Sequence, residues 1–188
     1  MQEVKTFKQA ELVLKVNRAY DTTLLNLSAW KPFLDRLCGD RVYQKEAIEN
    51  AIIFLASGQY TSLEELGEYN YSLNACLRDK YPTKADFLKT LQMKEKLYAD
   101  IDLATGTGKS YVIYGIAQIA LGLGLVKRVL VLCPSLTIES GLKEKFEFLS
   151  GDAGIKATLP MEAACKNPRI VTANETIKVG DLCVENIH

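Results

Sequence analysis

The spacing of apolar residues along the chain changes near residue 98. Before that point apolar positions recur three and four residues apart, and after it they gather into short β-branched runs between helical stretches. In "RVYQKEAIENAIIFLASG", Ala47, Ile48, Ala51, Ile52 and Leu55 share one helical stripe, and Gly58 stands where the helix should stop. "TSLEELGEYNYSLNACLRDKYP" opens with Ser62 three residues before Glu65, a capping-box spacing, and closes at Pro82. "TKADFLKTLQM" repeats that design with Thr83 and Asp86, and "SAWKPFLDRLCG" predicts a short helix entered at Ser28 and stopped near Gly39. One early run, "AELVLKV" from Ala10 to Val16, alternates as a short strand should. The first hundred residues are thus expected to be mainly helical.

From Tyr98 the order becomes strand, loop, helix. "YADIDLA" predicts a strand that leads into a glycine-containing loop and then an apolar helix from about Lys109 to Gly122. "RVLVLCP" has the continuous β-branched character of a strand buried on both faces. The helix "LTIESGLKEKFEFLSG" follows, then an irregular segment with Pro160 and Pro168, then a third strand, "RIVTANE". Strands alternating with helices predict a parallel α/β sheet. Asp100 and Asp102 fall on one face of the first strand, so that face should be partly open or lined by polar neighbours. The uncharged run "YVIYGIAQIALGLGLV" is shorter than the roughly 20 apolar residues of a membrane-spanning helix and is interrupted by glycines. A helix in an α/β core explains it, and no membrane partner is expected.

Composition narrows the function classes. A chain of 188 residues can hold one well-buried core with a smaller extension. With 48% hydrophobic and 24% charged residues it is neither a disordered nor a fibrous chain. The 23 basic residues balance the 23 acidic ones, so any contact with nucleic acid must be local and cannot rest on a global field. Cys38, Cys76, Cys133, Cys165 and Cys183 include no Cys-x-x-Cys pair, and the single histidine is His188. That set argues against a disulfide framework and a structural zinc, and for reduced, mostly buried thiols in a cytoplasmic protein. "MQEVKTFKQAELVLKV" lacks the apolar stretch of a secretory signal.

The stretch with the clearest chemistry is "DLATGTGKS", Asp102 to Ser110. A glycine loop between a strand and a helix lets successive backbone N–H groups and the helix N-terminus converge on phosphate oxygens. Gly106 and Gly108 remove Cβ clashes, Lys109 reaches the terminal phosphates, and the Ser110 hydroxyl completes a Mg²⁺ shell. Leu103 stands where the strict motif has its first glycine. The alternative, a bare strand–helix turn, would need the loop tetrad, the strand and the helix to coincide by chance.

"LATGTGKS" resembles motif I of the superfamily-two helicases and translocases, and "RVYQKEAI" resembles their adenine-reading glutamine motif. "VLVLCPSLTIESGLKEKF" is similar to motif Ia, and "IVTANET" sits where motif Ib would be. In particular, residues from about 35 to 188 resemble the N-terminal RecA-like domain of the Res subunit of type III restriction enzymes. The resemblance implies a P-loop α/β fold with helices on both faces of a parallel sheet. It divides the chain into an N-terminal extension (1–40), a helical segment with the glutamine motif (41–97) and a partial RecA-like domain (98–188).

The resemblance also implies roles. ATP and Mg²⁺ would be held by Thr105, Gly106, Thr107, Gly108, Lys109 and Ser110, with Lys109 the catalytic lysine and Ser110 the metal ligand. Gln44 would hydrogen-bond the adenine edge, and Arg41 or Tyr43 would flank the base; the same residues also fit the amphipathic start of a helix. Pro134, Ser135 and Thr137 would touch a nucleic-acid backbone, and Thr172 with Asn174 would add a second contact. These positions equally suit a helix N-cap after a strand and a strand end. "KEKFEF" reads as a solvated face with aromatic anchors in the core, and Glu64 with Glu65 makes no acid–base pair. DNA and a methyltransferase (modification) subunit are the implied partners, with a C-terminal nuclease in full-length relatives.

Hydrolysis at such a site needs carboxylates that hold Mg²⁺ and orient water, and no Asp-Glu pair follows a strand in this sequence. The expectation is therefore a truncated, ATP-binding module that scarcely turns ATP over alone. Its partial sheet would keep an unpaired edge open to self-association. A small P-loop kinase or nucleotide-binding regulator is the alternative, although no acceptor-binding segment or arginine-bearing lid is visible; an inactive scaffold fragment is another.

Overall fold

The computed structural model describes residues 6–187; residues 1–5, read above for a signal sequence, and His188 lie outside them. Helices form where the periodicity places them: α1 (Lys31–Cys38), α2 (Val42–Ala56), α3 (Leu63–Leu73), α4 (Ala75–Lys80) and α5 (Lys84–Leu88). Next come α6 (Lys109–Gly122), β1 (Val129–Cys133), α7 (Leu136–Gly151), α8 (Ala153–Ala157), β2 (Arg169–Val171) and β3 (Asp181–Asn186). The foreseen caps are in place: Ser62 accepts from the Glu65 N–H, Thr83 from the Asp86 N–H and Ser135 from the Ile138 N–H. Gly39 and Gly58, the foreseen stops, have φ of 57° and 74°. Asn26, and not Ser28, opens the turn before α1, because its Oδ1 accepts from both the Ala29 N–H and the Ser28 hydroxyl.

Five elements differ from expectation, among them α8, which forms in the segment read as irregular and is capped by Asp152 through the Ile155 N–H. "AELVLKV" is no strand: it begins as a 3₁₀ turn at Gln9–Glu11. Asn70, 4% exposed, then accepts from the Lys15 N–H at 2.8 Å and donates to the Lys15 carbonyl at 2.9 Å, so one side chain replaces a neighbouring strand. The long helix after Ser62 is two helices, because Asn74 takes an extended conformation (φ −93°, ψ 108°) and caps α4 through the Cys76 N–H. "YADIDLA" joins no ladder; Asp100 accepts from the Tyr98 hydroxyl and Asp102 from the Gln9 amide. Strand β3 was not foreseen at all, and it is the middle strand.

The sheet has the order β1-β3-β2 with both pairings parallel. Leu182 of β3 stands level with Val129 on one side and Ile170 on the other. Helix α7 packs across all three strands. The fold class is thus the expected helix-rich α/β fold, an incomplete RecA-like sheet with a mainly helical N-terminal part. Among the described residues strand β1 is paired on one side only, and its Leu130 and Leu132 are 59% and 55% exposed. Leu130 lines an open groove of about 480 Å³ together with Ile113, Ile116 and Ala120 of α6 and Val129 and Val131 of β1.

The described residues form two compact units. One comprises the chain up to Leu25 with Ile53–Asp102 and is built around Phe54, Tyr60, Leu63 and Leu66, with a second cluster of Leu77, Phe87 and Leu88. The other comprises Asn26–Ile52 and the chain from Leu103 onward. Its core holds Trp30 edge-on to Phe33, Tyr114 against Phe146, and the buried run Leu182 to Val184. Among the described residues no helix is long and apolar enough to cross a membrane.

Candidate nucleotide site

The site lies within the second unit, where the loop before α6 meets the first turn of α2. Gly106 and Gly108 have φ of 81° and 77°, left-handed conformations that side chains disfavour. A Cβ on Gly106 would meet nothing within 4 Å, so this glycine is required by its backbone angle and the space in front of it is open. A Cβ on Gly108 would come within 2.7 Å of Gln44 Nε2 and 3.4 Å of Tyr111 Cδ2. Behind Gly108 the packing is therefore tight.

The turn closes on itself through Thr107, whose hydroxyl donates to the Ala104 carbonyl at 2.7 Å. The Thr107 carbonyl in turn accepts from two side chains of α2, Gln44 Nε2 at 2.6 Å and the Tyr43 hydroxyl at 3.1 Å. Helix α2 is held in its own place by Lys45, which donates to Asp35 of α1 at 2.6 Å. That bond keeps the Asp35 carboxyl below, and the Lys45 ammonium above, their ordinary titration ranges.

Gln44 is fully buried, and its Oε1 has no hydrogen-bond partner. An orphaned buried amide oxygen is costly, and a ligand N–H would satisfy it. Helix α6 begins at Gly108 with no side-chain cap, whereas α3, α4, α5, α7 and α8 are all capped by side chains. Its leading amides and positive dipole end are thus left for an external acceptor, flanked by exposed Lys109 and half-buried Ser110. Gly106, the uncapped helix start, Lys109 and Ser110 fit a phosphate chain and its Mg²⁺; Gln44 Oε1 fits a donor on a base.

Arg41 is exposed and lies over the Tyr111 ring, with Cζ 5.8 Å from its centre. Lys145 of α7 approaches the same ring to 4.9 Å. Sequence reasoning missed Tyr111 and Lys145: an aromatic residue directly after Ser110 was visible, but a lysine 34 positions further on carried no signal.

The residues read as nucleic-acid contacts lie elsewhere in the unit. Because all three strands are parallel, Pro134 to Thr137 after β1 and Thr172 after β2 stand at the same, carboxyl end of the sheet. Pro134 and Thr137 are exposed, Ser135 caps α7, and the Thr172 N–H donates to Glu175 at 3.3 Å. Carboxylates at that end are engaged by N–H groups: Glu139 by Asn186, and Glu185 by Ala173.

A family model described as type III restriction enzyme, res subunit, matches residues 38–182. No curated protein and no solved structure matches the chain.

Proposed function

Because the chain belongs to the family of type III restriction enzyme res subunits, we propose that its phosphate loop binds MgATP as the nucleotide half of a DNA translocase motor. The family carries an ATP-dependent, helicase-like module. The observation that supports the reading most directly is the uncapped start of α6 behind two left-handed glycines, with Lys109 and Ser110 at its mouth.

In this reading the leading amides of α6 and Lys109 bind the phosphates, and Ser110 offers its hydroxyl to Mg²⁺, which would draw charge from the terminal phosphate. Thr105 to Gly108 form the cradle. Gln44 has one amide end committed to the Thr107 carbonyl and keeps Oε1 for the amino group of adenine, with Arg41 and Tyr43 beside the base. Turnover by this chain alone should be slow, since no Asp-Glu pair follows a strand in its sequence to hold Mg²⁺ and orient the attacking water. DNA would pass the carboxyl end of the sheet, touched by Pro134, Ser135, Thr137 and Thr172, with a methyltransferase subunit as partner. Five unpaired cysteines support a cytoplasmic setting.

The test is calorimetric titration of MgATP into the purified chain beside Lys109→Ala. Saturable heat that vanishes in the variant is the expected result; equal binding by both proteins would refute the loop as the phosphate site.

A further inference from the structure

Two cations meet at one aromatic ring beside the loop. Tyr111, the third residue of α6, has Arg41 Cζ 5.8 Å and Lys145 Nζ 4.9 Å from its ring centre, and Lys145 also donates to the Tyr111 hydroxyl at 3.2 Å. Among the described residues neither cation is bridged to a carboxylate, whereas Arg36, Lys45, Lys84, Lys89, Lys94 and Arg169 all are. The ring reaches the loop as well, with Cδ2 3.4 Å from the place of a Cβ on Gly108, which also adjoins Gln44, whose Oε1 is unpartnered. Like charges gathered at the positive end of a helix repel one another until an anion arrives.

We propose that Lys145 is a nucleotide-binding residue of this site, with Tyr111 as the positioning residue that holds it and Arg41 beside the loop. Lys145 shares with Lys109 the charge of a bound nucleoside triphosphate, while Arg41 stays beside the base. The proposal rests on the reading above that the loop holds nucleotide phosphates. Lys145 lies in "KEKFEF", whose pattern predicts a solvated face, yet it is half-buried against the ring. Its ammonium, on a flexible stem, exchanges the neutral phenol oxygen for a charged phosphate oxygen, which adds the attraction of opposite charges to the hydrogen bond. Tyr111 keeps that stem aimed at the loop when no anion is present.

The experiment is titration of MgATP and of adenosine into the full chain at low and moderate salt, for the unchanged protein, Lys145→Gln, Lys145→Arg, Tyr111→Phe and Lys109→Ala. Thermal unfolding of each variant reports its folding. Lys145→Gln should weaken MgATP binding about tenfold, flatten its salt dependence and leave adenosine unaffected. Lys145→Arg restores binding to within about threefold, because the charge remains. Tyr111→Phe keeps the ring under both cations but removes the hydroxyl to which Lys145 donates, giving an intermediate loss with the salt dependence retained. If Lys109→Ala abolishes binding while folded Lys145→Gln binds MgATP as the unchanged protein does, the proposal falls and the phosphate loop stands. If the unchanged protein binds no MgATP, both fall.

Discussion

Gln44 Nε2 donates to the Thr107 carbonyl at 2.6 Å while Gln44 Oε1 stays buried and unpartnered. One half of the amide thus braces the phosphate loop, and the other half is available to a ligand. Gln44→Leu conserves volume and deletes both functions. We expect MgATP affinity to fall about tenfold and any preference for ATP over GTP to disappear, read by competition titration. A variant that binds weakly but keeps its preference would leave Gln44 the brace and take away its role at the base.

The two loop glycines should respond differently to alanine. Gly106→Ala meets open space and suffers only the left-handed backbone, a loss of about 1 kcal/mol. Gly108→Ala has the same backbone problem and also meets Gln44 at 2.7 Å, so it should be the more destabilising and should displace the brace. Denaturant unfolding of the two variants would rank them, and equal losses would mean that Gln44 moves aside freely.

Gly115 lets α6 approach α2 closely, since a Cβ there would come within 2.5 Å of Ile48 Cδ1. Ile48 lies one turn after Gln44, so Gly115→Ala should lower stability by about 1–3 kcal/mol and weaken MgATP binding although it touches no ligand. Unchanged nucleotide affinity in a destabilised variant would show that α2 absorbs the strain without moving Gln44.

Acid should loosen the sheet through Asp181. Its buried carboxylate accepts from Arg169 at 2.7 Å and from the Lys178 N–H at 2.6 Å, and the arginine holds it below the usual carboxylate range. A depressed folded-state value means that this contribution is complete above the unfolded value near pH 4 and is lost as the pH falls through the folded one. Asp181→Asn should lower the melting temperature at pH 7 and narrow its gap from the unchanged protein as the solution is acidified.

Local signals in the sequence located the helices and the loop, because caps, glycine stops and apolar spacing act over a few residues. Ser62, Thr83 and Ser135 cap the helices expected of them, and α6 spans Lys109 to Gly122 as read. The failures involve partners distant in sequence. "AELVLKV" has strand spacing, but Asn70 supplies its hydrogen bonds from 55 positions away. "DLCVEN" forms the middle strand only because β1 and β2 flank it, and its Asp and Glu obscured the apolar run. The glycine turn and the start of α6 at Lys109 were legible from the motif, whereas the Tyr111–Lys145 contact depends on how α7 lies against α6.

The position of β3 in the sheet has a consequence for how the chain acquires its structure during synthesis. Strands β1 and β2 do not pair with each other, so neither gains a ladder until residues 181–186 have left the ribosome. Val129 must wait for Leu182, a long loop closure that favours slow, late assembly. Meanwhile Leu130 and Leu132 stand on an unpaired strand, the kind of segment that nascent chains shield with chaperones. A ribosome-stalled series should therefore show α3 to α5, which belong to the first unit, protected from protease early and β1 protected only after β3 emerges.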